Sequence, residues 1–175
     1  MITKDNNLKV MELFFKSPYH TFHIREVARL TGLSSTGIIK IIQKLKKERL
    51  LVTKKTKNIE EIKPDFEGQF LLMKRVYNIH SLYASGLIPL LQQHYEMPQA
   101  IILFGSYSKG TDTEKSDIDL AIIAQKKKSA DLRKFEITLA RKINLHIIDV
   151  QTTDKEFKNS LANGIVLEGF LEVLR

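Results

Sequence analysis

The sequence predicts a mixed α+β chain of two domains joined by a helix, and three observations carry that expectation. Apolar residues in the first third recur at helical spacing, and those in the last half gather in short strand-like runs separated by loops and helices. The positive charge is also unevenly placed. Residues 1–65 hold 14 Lys/Arg against 7 Asp/Glu, a balance of +7, whereas residues 66–175 hold 14 against 13, a balance of +1; together these make the +8 of the whole chain. A basic field confined to one end suits a polyanion such as double-stranded DNA.

Each element has a local cause. Residues 5–16 form the first expected helix, with Leu8, Met11, Phe14 and Phe15 on one face and Pro18 just beyond it. A second, over residues 24–31, ends at Gly32, a natural helix-terminating glycine. Ser34 can cap a third, running to about Glu48. Two short β-like stretches, 51–54 and 58–62, follow around the charged turn Lys55-Thr56-Lys57. Beyond Pro64, the apolar residues Phe66, Phe70, Met73 and Tyr77 step by four, three and four, which predicts a linker helix over 66–86 ended by Gly86. A short helix over 87–95 comes next. Strands are then expected at 100–104, 117–123 and 144–150, and helices near 131–142 and 154–161. The last apolar stretch, 165–173, reads as a short strand or helix. The expected domains are therefore 1–65 and 87–175, with 66–86 between them.

The third helix has two unlike faces. On a helical wheel Ile38, Ile41, Ile42 and Leu45 fall on one side. Thr36, Lys40, Gln43 and Lys47 lie opposite, with Ser35, Ile39 and Lys44 at the margins. That outward set offers lysines for phosphates or guanine, an amide for adenine and an apolar side chain for a thymine methyl. Lys54, Lys55 and Lys57 of the hairpin would lie along the neighbouring backbone. Three helices, a glycine turn between the second and third, and a basic hairpin together resemble the winged helix-turn-helix regulators.

The most specific motif is Phe104-Gly105-Ser106-Tyr107-Ser108-Lys109-Gly110, followed by Ser116-Asp117-Ile118-Asp119-Leu120. A strand ending at Gly105 lets backbone approach a ligand closely, and Ser106 offers a hydroxyl and an N–H to a phosphate oxygen. Asp117 and Asp119, two apart on a strand, emerge on one face, where two carboxylates repel unless a cation such as Mg2+ lies between them. Lys109 and Gly110 complete the expected nucleotide-binding turn. A Gly-Ser turn followed by Asp-x-Asp resembles the nucleotidyltransferases of the polymerase-beta superfamily, in particular the minimal ones, over roughly residues 87–175. The resemblance implies an α/β sheet domain, a bound nucleoside triphosphate, two-metal transfer of a nucleotidyl group, and catalytic roles for Asp117 and Asp119. It also implies a third carboxylate on a later strand. Aligned on the apolar residues of Lys142-Ile143-Asn144-Leu145-His146-Ile147-Ile148-Asp149, that position falls on Asn144, or two residues later on His146, a candidate base; Asp149 has the opposite parity.

The leading functional expectation is a DNA-binding transcriptional regulator with a nucleotide- and magnesium-binding nucleotidyltransferase-like domain. The alternatives are an active enzyme moving a nucleoside monophosphate to a small molecule or protein, and an antitoxin-type protein that pairs with a small helical partner. A homodimer is expected, because winged helices commonly read two half-sites. There are no cysteines, which excludes disulfides and thiolate metal sites. Met1 to Lys9 are polar and the apolar runs are short, so the expectation is a cytoplasmic protein with neither a secretory signal nor a membrane span.

Overall fold

The computed structural model describes residues 5–56, 59–124, 129–149 and 152–172. The chain divides into two compact units, Met1–Lys74 and Arg75–Arg175. Among the described residues no helix is long and apolar enough to cross a membrane.

In the first unit, α1 (Asn6–Lys16) starts where the Asp5 carboxylate accepts from the Asn7 N–H at 3.0 Å. The two-residue strand β1 (Phe22–His23) leads into α2 (Ile24–Thr31), which stops at Gly32 with φ +68°, a left-handed conformation that glycine adopts without a steric penalty. Helix α3 (Ser35–Lys47) is capped by the Ser34 side chain, which accepts from the Gly37 N–H at 3.1 Å. Strands β2 (Leu51–Thr56) and β3 (Ile59–Pro64) form an antiparallel hairpin, and β1 pairs with β3 on its outer side, giving the sheet order β1-β3-β2. Val10, Phe14, Phe22, Val27, Ile38, Ile42, Leu45 and Ile62 are all buried, so one face of each helix and the hairpin contribute to the core.

Helix α4 (Phe70–Ala84) starts four residues later than its apolar pattern predicts. Its buried row is Phe70, Lys74, Asn78 and Leu82, whereas Phe66 and Met73 are exposed. Those two belong to the predicted stripe, so the stripe is corrected by the structure. The physical reason is visible at Asn78, whose amide donates to the Tyr107 carbonyl at 2.9 Å and to Asp112 Oδ1 at 2.8 Å and so turns that face inward.

The second unit continues with α5 (Leu87–His94), β4 (Ala100–Phe104), α6 (Gly105–Lys109), β5 (Ile118–Ile123), α7 (Arg133–Leu139), β6 (Ile143–Ile148), α8 (Lys155–Ala162) and β7 (Ile165–Gly169). Its sheet has the order β6-β5-β4-β7; β4 is antiparallel to both β5 and β7, and β5 is parallel to β6. Alternation sorts the side chains. Ile101, Leu103, Leu120 and Ile122 pack with Leu82, Leu87, Ile88 and Leu91 on one face, while Ile102, Phe104, Ala121 and Ile123 pack with Leu161 on the other. The final apolar stretch forms the strand β7.

Candidate functional site

The parity that places Ala121 and Ile123 on the second face also places Asp119 there, opposite Phe104 on β4 and Asn144 on β6. Asp117 lies just before β5 on the same parity. The Asn144 amide nitrogen donates to both carboxylates, at 3.0 Å to Asp119 Oδ1 and 3.3 Å to Asp117 Oδ2. Its orientation is dictated by charge, because the amide oxygen would face two anions in the flipped rotamer. One polar hydrogen donor therefore bridges the pair at the position aligned with a third carboxylate.

Gly105 closes the site from the β4 side. It opens α6 with φ +72°, and a Cβ built on it would collide with the Asp119 Oδ2 atom and lie 3.3 Å from its Cγ. Glycine is required both by the conformation and by the carboxylate packed against it. The segment after Gly105 is a five-residue helix rather than an open turn, and Gly110 ends it with φ +74°. Gly105 and Ser106 are the first residues of that helix, so their N–H groups have no intrahelical acceptor. Lys109 is exposed on its last turn. The inner face is anchored by the Ser108 hydroxyl, which donates to the Gly105 carbonyl at 2.8 Å, and by Tyr107, whose phenol pKa is pushed up by burial and then by Asp112.

His146 lies one row further along β6, opposite Ala121. Its ring is 5.5 Å from that of Phe104 and 5.4 Å from that of Phe157, a three-ring cluster between β4, β6 and α8. That packing sets the imidazole against two aromatic rings on the carboxylate-bearing face. Asp149 lies beyond the end of β6. The residues that sequence reasoning missed stand behind the site. Asp112 accepts from Asn78 and lies 3.9 Å from the Arg141 guanidinium, with both charged side chains nearly fully buried. No local periodicity announces such a network, because its members come from three separate segments.

On the first unit, Ser35, Thr36, Ile39, Lys40, Gln43, Lys44 and Lys47 lie on α3 away from the core, while Ile38, Ile42 and Leu45 are buried. Lys54 and Lys55 are exposed on β2, and the register sets them opposite Glu61 and Glu60. The hairpin is thus less uniformly basic than its lysines alone suggest. Lys57 lies outside the described residues.

Residues 86–169 match the family Polymerase beta, Nucleotidyltransferase. This nucleotidyltransferase-like domain is similar to Protein adenylyltransferase MntA of Shewanella oneidensis, with 44% identity over 46 residues, covering 26% of this chain. The match spans only 33% of that relative's length. Two solved structures are also similar. One is a toxin-antitoxin with AMP-PNP, at 27% identity and a TM-score of 0.39, covering 49% of this chain and 73% of the other. The second is a mutant of the toxin-antitoxin MntA-HpeT, at 22% identity and a TM-score of 0.38, with the same coverage of each chain.

Proposed function

We propose that the nucleotidyltransferase-like domain binds a nucleoside triphosphate with a divalent cation and transfers its nucleoside monophosphate to a hydroxyl of a protein. The observation that carries this reading is the convergence of Asp117 and Asp119 on one point beside the Gly105-Ser106 start of α6. Two carboxylates whose shared neighbour is an amide donor are an oxygen-rich set that suits Mg2+ completed by phosphate oxygens. Asp117 and Asp119 would hold that ion, which when bound offsets the charge of the triphosphate. Ser106 and the free N–H groups beside it would grip phosphate oxygens, and exposed Lys109 would add positive charge nearby. In the transfer, the acceptor oxygen forms a bond to the α-phosphorus and the bond from that phosphorus to the bridging oxygen breaks. Pyrophosphate leaves with the electron pair and the hydroxyl proton passes to water. The similarity to a protein adenylyltransferase supports ATP as donor and a protein as acceptor.

Asn144 tempers the reaction. It cannot accept a proton from the attacking hydroxyl or add negative charge, so transfer should be slow relative to binding. Calorimetry with ATP in the presence and absence of Mg2+ tests the binding: the unmodified protein should bind only with the metal, and Asp117→Asn should keep its fold and lose that binding. Metal-independent binding, or equal binding by both proteins, would refute the assignment.

A second reading concerns residues 1–65, which we propose to be a winged helix-turn-helix that binds double-stranded DNA. It is supported by the outward polar face of α3 above a buried Ile38-Ile42-Leu45 seam. Gel shifts at low salt should show duplex binding; its absence on any duplex would end this reading. A homodimer would supply two such helices for two half-sites, and analytical ultracentrifugation tests it. The antitoxin-type alternative expects a small helical partner protein, which co-purification with the chain tests.

A further inference from the structure

The face of the sheet that carries Asp117 and Asp119 also carries three aromatic rings from three separate elements. Phe104 ends β4, His146 stands on β6 and Phe157 belongs to α8. β4 and β6 are two strands apart, about 9.5 Å at the usual strand spacing, yet the Phe104 and His146 rings lie 5.5 Å apart. Ala121, the β5 neighbour of His146, is short enough to let the rings meet above the strand between them.

The three rings are unequally covered. Phe104 is buried and Phe157 half-buried, whereas His146 is exposed. The two phenyl rings meet the imidazole at 60° and 51° and each other at 81°, so neither lies flat on it. They hold the imidazole from its sides and leave ring surface open to solvent. A side chain fixed in that way has little rotamer freedom left to lose, which lowers the ordering cost of stacking on it.

The place of His146 relative to the carboxylates fits one part of a nucleotide. The sheet order β6-β5-β4 puts Ser106, just after β4, on one side of Asp119 and His146 on the other. A triphosphate gripped at Ser106, with its α-phosphate at Asp117 and Asp119, points its nucleoside towards β6. His146 is two residues beyond Asn144 on that strand, about 7 Å along it, and the Asn144 amide nitrogen lies 3.0 Å from Asp119 Oδ1. A ribose spans a gap of that order between α-phosphate and base.

We propose that His146, backed by Phe104 and Phe157, is the platform on which the nucleobase of the bound triphosphate stacks. The site then takes purine triphosphates in preference to pyrimidine ones, because the larger ring system covers more of the platform. Bases stack on aromatic side chains through their π faces, without hydrogen-bond readout, so ATP and GTP are both accepted. The proposal rests on the nucleotidyl-transfer reading and adds to it the residue that holds the base.

Calorimetry on the full chain with Mg2+ and each of ATP, GTP, CTP and UTP tests it. The unmodified protein should bind both purine triphosphates several-fold more tightly than the pyrimidine ones. His146→Ala removes the platform and should weaken ATP binding about tenfold, the usual effect of losing one base–aromatic stack. His146→Phe keeps a ring without its nitrogens and should retain most of the parent's affinity, which separates stacking from proton transfer by the imidazole. The proposal is overturned if CTP and UTP bind as tightly as ATP, if His146→Ala binds ATP like the parent, or if His146→Phe loses as much as His146→Ala. Should His146→Ala not fold, the nucleotide series and the phenylalanine variant still decide. Failure of the unmodified protein to bind ATP with Mg2+ would instead overturn the underlying reading, and this proposal with it.

Discussion

Two single residues test the site most directly. At Gly105 an added methyl group meets both the Asp119 carboxylate and a left-handed backbone. Gly105→Ala should cost about 2 kcal/mol of stability, within the usual range for a strained conformation, and should also displace Asp119. Chemical denaturation and ATP titration on the same protein check both effects; unchanged nucleotide affinity would mean that Asp119 is not a ligand. At position 144 the converse is expected. Asn144→Asp places a third carboxylate within about 3 Å of the other two, a repulsion that a bound cation relieves. Stability without metal should fall, the stabilisation added by Mg2+ should rise, and transfer of label from ATP should accelerate. Thermal melts with and without Mg2+ measure the first two effects, and a single-turnover assay measures the third.

At the scale of the element, the DNA-binding role proposed for α3 predicts two kinds of variant, one for positioning and one for reading. Lys40→Ala or Lys47→Ala should weaken binding to all duplexes alike and lower the salt slope by about 1 for each phosphate the lysine neutralises. Gln43→Ala should relax preference at one base pair, a discrimination of roughly 1–3 kcal/mol. Competition gel shifts across salt concentrations distinguish the two. Helices α2 and α3 show what is legible in the sequence: the period and Ser34 cap of α3 and the Gly32 stop of α2 are all local, and the structure has all three. The parity of Asp117 and Asp119 is legible for the same reason. The two-residue strand β1 is not, because two residues carry no period. The short helix α6 reads as a turn in the sequence, since glycine and serine are weak helix formers. The row of α4 that turns inward is hidden because Asn78 is selected by partners on other segments. His146 reads as a candidate base, and the aromatic rings that surround it come from β4 and α8, far away along the chain.

At the scale of the whole molecule the charge division predicts two different salt responses in one protein. Raising salt should release DNA steeply, because the +7 balance lies in residues 1–65, while ATP–Mg2+ affinity should change much less. Parallel titrations of the full chain measure this, and equal slopes would contradict it. The Asn78, Asp112 and Arg141 network has a further consequence in time rather than in space. It ties α4, the loop after α6 and the turn before β6 through groups with almost no access to water. None of these segments can open alone without leaving a buried charge or amide unsatisfied, which raises the free energy of local opening toward that of unfolding the unit. In deuterium exchange their protected amides should therefore exchange at a common rate, as one cooperative block. Asp112→Ala should uncouple them, so that the loop exchanges first while the central strands β4 and β5 stay protected.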